Sequence, residues 1–142
     1  MKSKTIVLVG CGAKKASFPC SAEAMYQGVL FKKALAYAKQ MQPDKIYIIS
    51  AKYHLLELGD DIEPYNETLN NKNASEIKRW SEIVLESLKE KGHDLNNDKI
   101  IILAGQKYYK YLSSNIKNCV LPYSNYKGIG YIMQFLNKQL NN

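Results

Sequence analysis

Four short, nearly continuous apolar runs, Thr5 to Val9, Lys45 to Ile49, Lys99 to Leu103 and Cys119 to Leu121, constrain the fold of this chain most. They are rich in β-branched residues and do not alternate with polar ones, which is the pattern of strands covered on both faces. Such strands need helices above and below. Between them Ala22, Met25, Val29, Leu30, Ala34, Ala38 and Met41 trace one helical stripe, Ile77, Trp80, Val84 and Leu88 a second, and Ile129, Met133, Leu136 and Leu140 a third. The order β-α-β-loop-α-β-α-β-α implies parallel pairing through right-handed crossovers. The predicted fold class is therefore α/β, a three-layer α/β/α sandwich around a mostly parallel four-stranded sheet. The 142 residues suit one domain, 1–142, with no linker, internal repeat or low-complexity segment.

Punctuation supports these elements. Asn73-Ala-Ser-Glu76 has the spacing of a capping box, Gly92 suits a left-handed helix stop, and Pro43 closes the first helix. The stretch from about Tyr53 to Lys72 is the longest irregular piece, and loops of that length are disproportionately functional.

No apolar run reaches the roughly 20 residues that span a bilayer, so membrane insertion is not expected. The run after Met1 is too short for a signal sequence and reads as the first strand. Cys11, Cys20 and Cys119 are odd in number and lack CxxC spacing, which argues against a disulfide framework and against a four-cysteine zinc site; a reducing cytoplasm is the expected location. Formal charge is +7, and all but one of the 20 bases are lysine, Arg79 being the exception. Diffuse lysine charge favours attraction to phosphate over bidentate reading of bases, although it equally serves solubility. Eleven tyrosines add flat faces suited to stacking on nucleobases or simply to packing.

In an open α/β sheet, ligands bind beyond the carboxyl ends of the strands, so the polar strand exits hold the candidate site. The first exit, Gly10-Cys11-Gly12-Ala13-Lys14-Lys15, lets a ligand approach backbone amides and adds charge for a phosphate, without matching a dinucleotide fingerprint or a Walker A loop. Cys11 could pair with His54 as a nucleophile, or be a small packing residue. The second exit offers Ser50, Lys52, Tyr53 and His54, with Lys52 as a phosphate clamp or leaving-group stabiliser. Asp60, Asp61 and Glu63 follow, then Tyr65 and Asn66. A carboxylate there could orient a water or offset the charge that develops as an N-glycosidic bond breaks, while the Asn66 amide could bond a base edge. The same acids could serve O-glycoside hydrolysis or a divalent cation, or be merely solvated. The later exits repeat glycine, lysine and tyrosine: Gly105 opens one, and Tyr126, Gly128 and Gly130 lead into the last helix, whose N-terminus would face the crevice.

Nearly the whole chain resembles a family of small bacterial and phage proteins classed as a domain of unknown function. The resemblance is carried by Cys11 and Lys14; Ala24, Met25, Tyr26, Gly28, Leu30 and Phe31; Ser50 to Leu56; Ile62 to Tyr65; Trp80; Ala104 to Tyr109; and Gly128 to Gly130. At a greater distance the pattern looks like the α/β layout of uracil-DNA glycosylases and of domains accompanying tRNA-guanine transglycosylases. That kinship implies excision or binding of a nucleobase, including a modified base in phage DNA, and a role in phage defence. The glycosylase water-activating motif is absent after the first strand, and Leu121-Pro122-Tyr123-Ser124 stands where the terminal His-Pro-Ser would be, so a catalytic carboxylate has to come from Asp60, Asp61 or Glu63.

Two functions are therefore expected. One is a DNA glycosylase-like enzyme with Asp60, Asp61, Glu63 and Lys52 as catalytic candidates. Cys11, Gly12, Lys14, Tyr26, Ser50, Tyr53, His54, Tyr65, Asn66, Gly105, Tyr126, Gly128 and Gly130 would hold the extruded base. The other is a non-catalytic binder of a nucleotide or nucleotide-derived signal. Neither requires a cofactor or metal, and DNA or a nucleotide is the expected partner.

Overall fold

The apolar runs become neighbouring strands because each can bury both faces. The computed structural model describes residues 3–141 and places, in chain order, β1 (Thr5–Gly10), β2 (Cys20–Ser21), α1 (Ala22–Met25), α2 (Val29–Gln40), β3 (Lys45–Ser50), β4 (His54–Glu57), β5 (Asp61–Ile62), α3 (Ala74–Glu90), β6 (Lys99–Leu103), α4 (Gln106–Ser113), β7 (Cys119–Val120) and α5 (Ile129–Leu140). The main sheet has the order β4-β3-β1-β6-β7. β1 pairs in parallel with β3 and β6, β7 is parallel to β6, and β4 runs antiparallel to β3.

Alternate residues of β1 divide the interior. Ile6 and Leu8 pack with Trp80, Val84 and Leu88 of α3 and Leu112 of α4. Val7 and Val9 pack with Phe31, Ala34 and Ala38 of α2 and Leu136 of α5 on the opposite face. Helices thus cover both faces, which is why the strand sequences are continuous rather than alternating.

Five strands replace the expected four because the segment read as an irregular loop begins with a strand. Ser50 pairs with His54 across the tight turn Ala51-Lys52-Tyr53, and Leu55 and Leu56 return beside Ile49 and Ile48. The remainder of 53–72 holds β5, which forms a two-stranded ribbon with β2, and a 3₁₀ turn at Leu69–Asn71. The first helical stripe is likewise divided. Tyr26, Gln27 and Gly28 separate α1 from α2, so Val29 opens a new helix and is 60% exposed rather than on the core face. In α5 only Leu136 of the predicted stripe is buried; Ile129 is 65% exposed, and Ile132 and Phe135 pack on the core in its place.

The capping box is formed, with the Glu76 amide donating to Asn73 Oδ1 at 2.8 Å and the Asn73 amide to Glu76 Oε1 at 3.0 Å. At the other end of α3, Gly92 has φ of 88°, and the amides of Gly92 and His93 donate to the carbonyls of Lys89 and Leu88, a paired closure that needs the left-handed residue.

The amino edge of the sheet carries a polar network. Asp98 is buried, which by itself would raise its pKa. The amides of Asp94 and Lys4 donate to its carboxylate and the Lys4 ammonium lies 3.7 Å away, and together these hold it below the usual value. His93 Nε2 is hydrogen-bonded to Tyr47 Oη, while its buried Nδ1 has no partner among the described residues. Burial, aided by the nearby Lys4 charge, lowers the His93 pKa, and burial also lowers that of His54. Both histidines therefore bind a proton more readily when unfolded. Stability is fully present above the unfolded value of about 6.5 and declines as pH falls through that value toward the lower folded ones. Denaturant midpoints measured between pH 7.5 and 5 should fall, and in His93→Phe they should fall less; an equal fall would remove His93 from the account.

Candidate active site cleft

β1, β3, β6 and β7 are mutually parallel, so their carboxyl ends share one edge. Beyond β1 the chain enters α2 on one face, and beyond β6 it enters α4 on the other, so a crevice opens between the two exits, the position where α/β sheets bind ligands. A cleft of about 770 Å³ lies there, large enough for a nucleotide-sized molecule. Its floor is Gly10 to Lys15 after β1 and Leu103 to Tyr108 around the β6 exit, and Gly28 to Phe31 forms a side wall.

Gly10 is required by the close approach of these exits: a Cβ on it would lie 2.9 Å from the Ala104 Cβ. Cys11 continues the β1–β3 pairing by donating its amide to the Ile49 carbonyl at 3.0 Å, and its Sγ meets Tyr108 Oη at 3.4 Å. The turn carrying Lys14 and Lys15 is tied down, with the Gln27 amide donating to the Lys14 carbonyl and the Ala16 amide to the Met25 carbonyl. Lys15 Nζ is 4.4 Å from the centre of the Tyr65 ring, a cation–π distance.

Three helices open at this edge, and each has glycine at its N-cap: Gly28 for α2, Gly105 for α4 and Gly128, with φ of 92°, for α5. None has a capping side chain among the described residues; in α4 the Tyr108 amide turns back to the Gly105 carbonyl, which leaves the amides of Gln106 and Lys107, with those opening α2 and α5, for an anion, and Lys14, Lys15 and Lys107 line the same cleft. The lining also includes apolar and aromatic side chains, among them Phe31, Tyr108, Tyr123 and Ile132. Tyr123 is 6% exposed and its hydroxyl has no hydrogen-bond partner among the described residues; burial pushes its pKa up.

Of the sequence-predicted residues, Cys11, Gly12, Lys14, Asn66 and Gly105 line the cleft. Gly128 and Gly130 bracket Ile129, which does. Tyr26, Ser50 and Tyr65 form a supporting network instead. Ser50 Oγ accepts the amides of Lys52 and Tyr53, which leaves its proton for Tyr65 Oη at 2.7 Å, and Tyr65 Oη in turn meets Tyr26 Oη at 2.6 Å. Burial pushes the Tyr26 hydroxyl to about 12 and that of Tyr65 further up, so both stay protonated at neutral pH. Tyr53 packs edge-on against Tyr65 and hydrogen-bonds the Glu63 backbone. Tyr126 does not line the cleft; its ring is tilted against Phe135.

The carboxylates expected to act do not line the cleft. Because β4 reverses direction, the chain returns to the amino edge before Asp60 is reached. There Asp60 accepts the Glu57 amide and Asp61 pairs with Ser21 in the ribbon; Glu63, whose backbone is hydrogen-bonded to Tyr53 Oη as the chain comes back from β5, is exposed outside the cleft. Lys52 and His54 line a separate groove. Among the described residues the only carboxylate lining the cleft is Glu67, which lies 3.7 Å from Lys72 Nζ. Glu67, Thr68, Asn70 and Tyr123 were not singled out from the sequence. The available signal was the polar triplet Asn66-Glu67-Thr68 directly after Tyr65, which brings the chain back to the carboxyl edge. Among the described residues no three His, Cys, Asp or Glu side chains gather to hold a metal, and no helix is long and apolar enough to cross a membrane.

A mixed, mostly parallel five-stranded sheet flanked by helices, with a lysine-lined crevice at its switch point, defines an α/β protein with a cleft at its carboxyl edge. The chain belongs to DUF6884, a family of unknown function, whose pattern matches residues 6–138. It is also similar to the uncharacterized protein YfjM of Bacillus subtilis (strain 168), with 29% identity over 144 residues that cover 95% of this chain and 94% of the relative.

Proposed function

We propose that the cleft binds a nucleotide, with the phosphate at the glycine-capped helix ends and lysines and the base against the aromatic wall. The observation that carries this reading is the convergence of three uncapped helix N-termini with Lys14, Lys15 and Lys107 on one cleft. Oriented amides and cations together select an anion, and an adjoining apolar wall selects a flat organic group. Thermal-shift measurements with mononucleotides should raise Tm by several degrees, since a ligand at about 100 times its Kd adds about 2.7 kcal/mol to the folded state. Lys14→Ala should weaken the effect about tenfold. No stabilisation by any purine or pyrimidine mononucleotide at millimolar concentration would end this reading.

A second reading, cleavage of an N-glycosidic bond in DNA as in uracil-DNA glycosylases, is favoured by Glu67, a carboxylate lining the cleft. A target base would leave the stack, enter against Phe31 and Tyr108, and bring its sugar near Glu67, whose charge would offset the developing cation. The role expected of Asp60, Asp61 or Glu63 then passes to Glu67. DNA carrying modified bases should acquire alkali-labile sites with the native protein and none with Glu67→Gln; retained cleavage by Glu67→Gln would exclude this assignment.

A further inference from the structure

A second groove, of about 350 Å³, runs beside the cleft between the β3–β4 turn and α3, and Glu67 lines both. Its basic side chains are Lys52, Lys72 and Arg79, and His54 stands among them. The acids of this groove are already engaged. Glu67 is paired with Lys72, and the Glu76 carboxylate accepts the Asn73 amide in the capping box. Lys52 and Arg79 have no acidic partner within ion-pair distance among the described residues. The chain's sole arginine thus lines a groove that shares Glu67 with the cleft, and it forms no ion pair among the described residues. His54 adopts a left-handed backbone, φ of 66°, in the turn that brings Lys52 and itself to this groove. A side chain other than glycine in that conformation costs about 1 kcal/mol, which the turn sustains while presenting both groups on the α3 side.

A guanidinium with no carboxylate partner is matched geometrically to a phosphate, which it can hold through two parallel N–H donors, and Lys52 adds a point charge from the facing turn. Burial lowers the His54 pKa, so the imidazole supplies hydrogen bonding without further charge at neutral pH. Because Glu67 lines both cavities, they are neighbours, and a ligand longer than one nucleotide in the cleft would have the groove as its next basic surface.

We infer that the groove is a second phosphate subsite, so that the ligand is a polynucleotide strand with one nucleotide in the cleft and a neighbouring phosphate held by Arg79 and Lys52. This rests on the nucleotide reading of the cleft and adds the substrate class to it. The test compares a mononucleotide, by thermal shift, with a labelled single-stranded oligodeoxynucleotide, by fluorescence anisotropy across a salt series. The oligonucleotide should bind at least about tenfold more tightly than the mononucleotide. Each phosphate contact contributes about 0.7 to the slope of log affinity against log salt for a single strand, so Arg79→Ala and Lys52→Ala should each reduce the slope by about that amount. Arg79→Ala should weaken oligonucleotide binding about three- to tenfold and leave the mononucleotide response unchanged, and Arg79→Lys should recover part of the loss. Mononucleotide binding with oligonucleotide affinity and salt slope unaltered in both alanine variants overturns the second subsite alone. Absence of mononucleotide binding in the native protein overturns the cleft reading and this inference with it.

Discussion

Trp80→Ala should lower the unfolding free energy by about 3–5 kcal/mol, the range for deleting a large aromatic side chain from a core. Trp80 is 4% exposed and packs in the cluster with Leu69, Val84 and Leu88. Its indole N–H donates to the Ser50 carbonyl at 2.8 Å, and its ring meets Tyr108 edge-on at 5.4 Å. Truncation leaves a cavity, orphans a buried carbonyl and removes the support behind Tyr108, which lines the cleft. With whole-domain stability of about 5–15 kcal/mol, the variant should lose a large part of its folded margin. Trp80→Phe retains most of the packing and loses the donor, so it should cost less, about 1–2 kcal/mol. Trp80 is the only tryptophan, so urea unfolding is best followed by circular dichroism. A loss below about 1 kcal/mol for Trp80→Ala would show that the site relaxes around the gap and that Trp80 does not organise this side of the sheet.

Gly10→Val should distort the cleft as well as destabilise the fold. The added Cβ would meet the Ala104 Cβ at 2.9 Å and the Leu103 carbonyl at 3.5 Å, atoms fixed by the sheet and its exit. Relief requires the β1 and β6 exits to separate, and overpacking of this kind costs about 1–3 kcal/mol. The open amides of α4 begin directly after Ala104-Gly105, so the same movement should displace them and reduce mononucleotide affinity about tenfold. Gly59→Ala is the matched control, since a Cβ there meets nothing within 4 Å and the position is remote from the cleft lining. It should alter stability by no more than about 0.5 kcal/mol. Unchanged affinity in a folded Gly10→Val protein would mean that the approach of the two exits does not shape the binding surface.

Local signals and long-range ones were not equally legible. The Asn73–Glu76 capping box and the Gly92 stop are written in contiguous residues and form as expected, because each depends on hydrogen bonds within a few positions. The break between α1 and α2 lies inside a periodic apolar stripe, and Gly28 alone did not mark it, since glycine in a helical pattern signals only a modest cost. β4 was concealed for a different reason. His54-Leu55-Leu56-Glu57 is short and ends in polar residues as an edge strand does, and its pairing with β3 is decided by a partner in space. That pairing turns the chain back toward the amino end of β3 before Asp60 is reached, and the run from β5 returns it past Glu63 to Tyr65 at the carboxyl edge.

Continuous apolar runs by themselves determined a sheet covered on both faces, and with it the common edge of the four parallel strand ends, because strands that run in one direction end on the same side whatever their order. Only the tertiary structure decided which side chains reach the crevice. The antiparallel return of β4 carried Asp60 and Asp61 away, the segment after Tyr65 placed Glu67 on the cleft, and the turn between β3 and β4 placed Lys52 on the same groove as Arg79. Those placements depend on strand direction and helix packing summed over the whole chain, and no local stretch of residues encodes them.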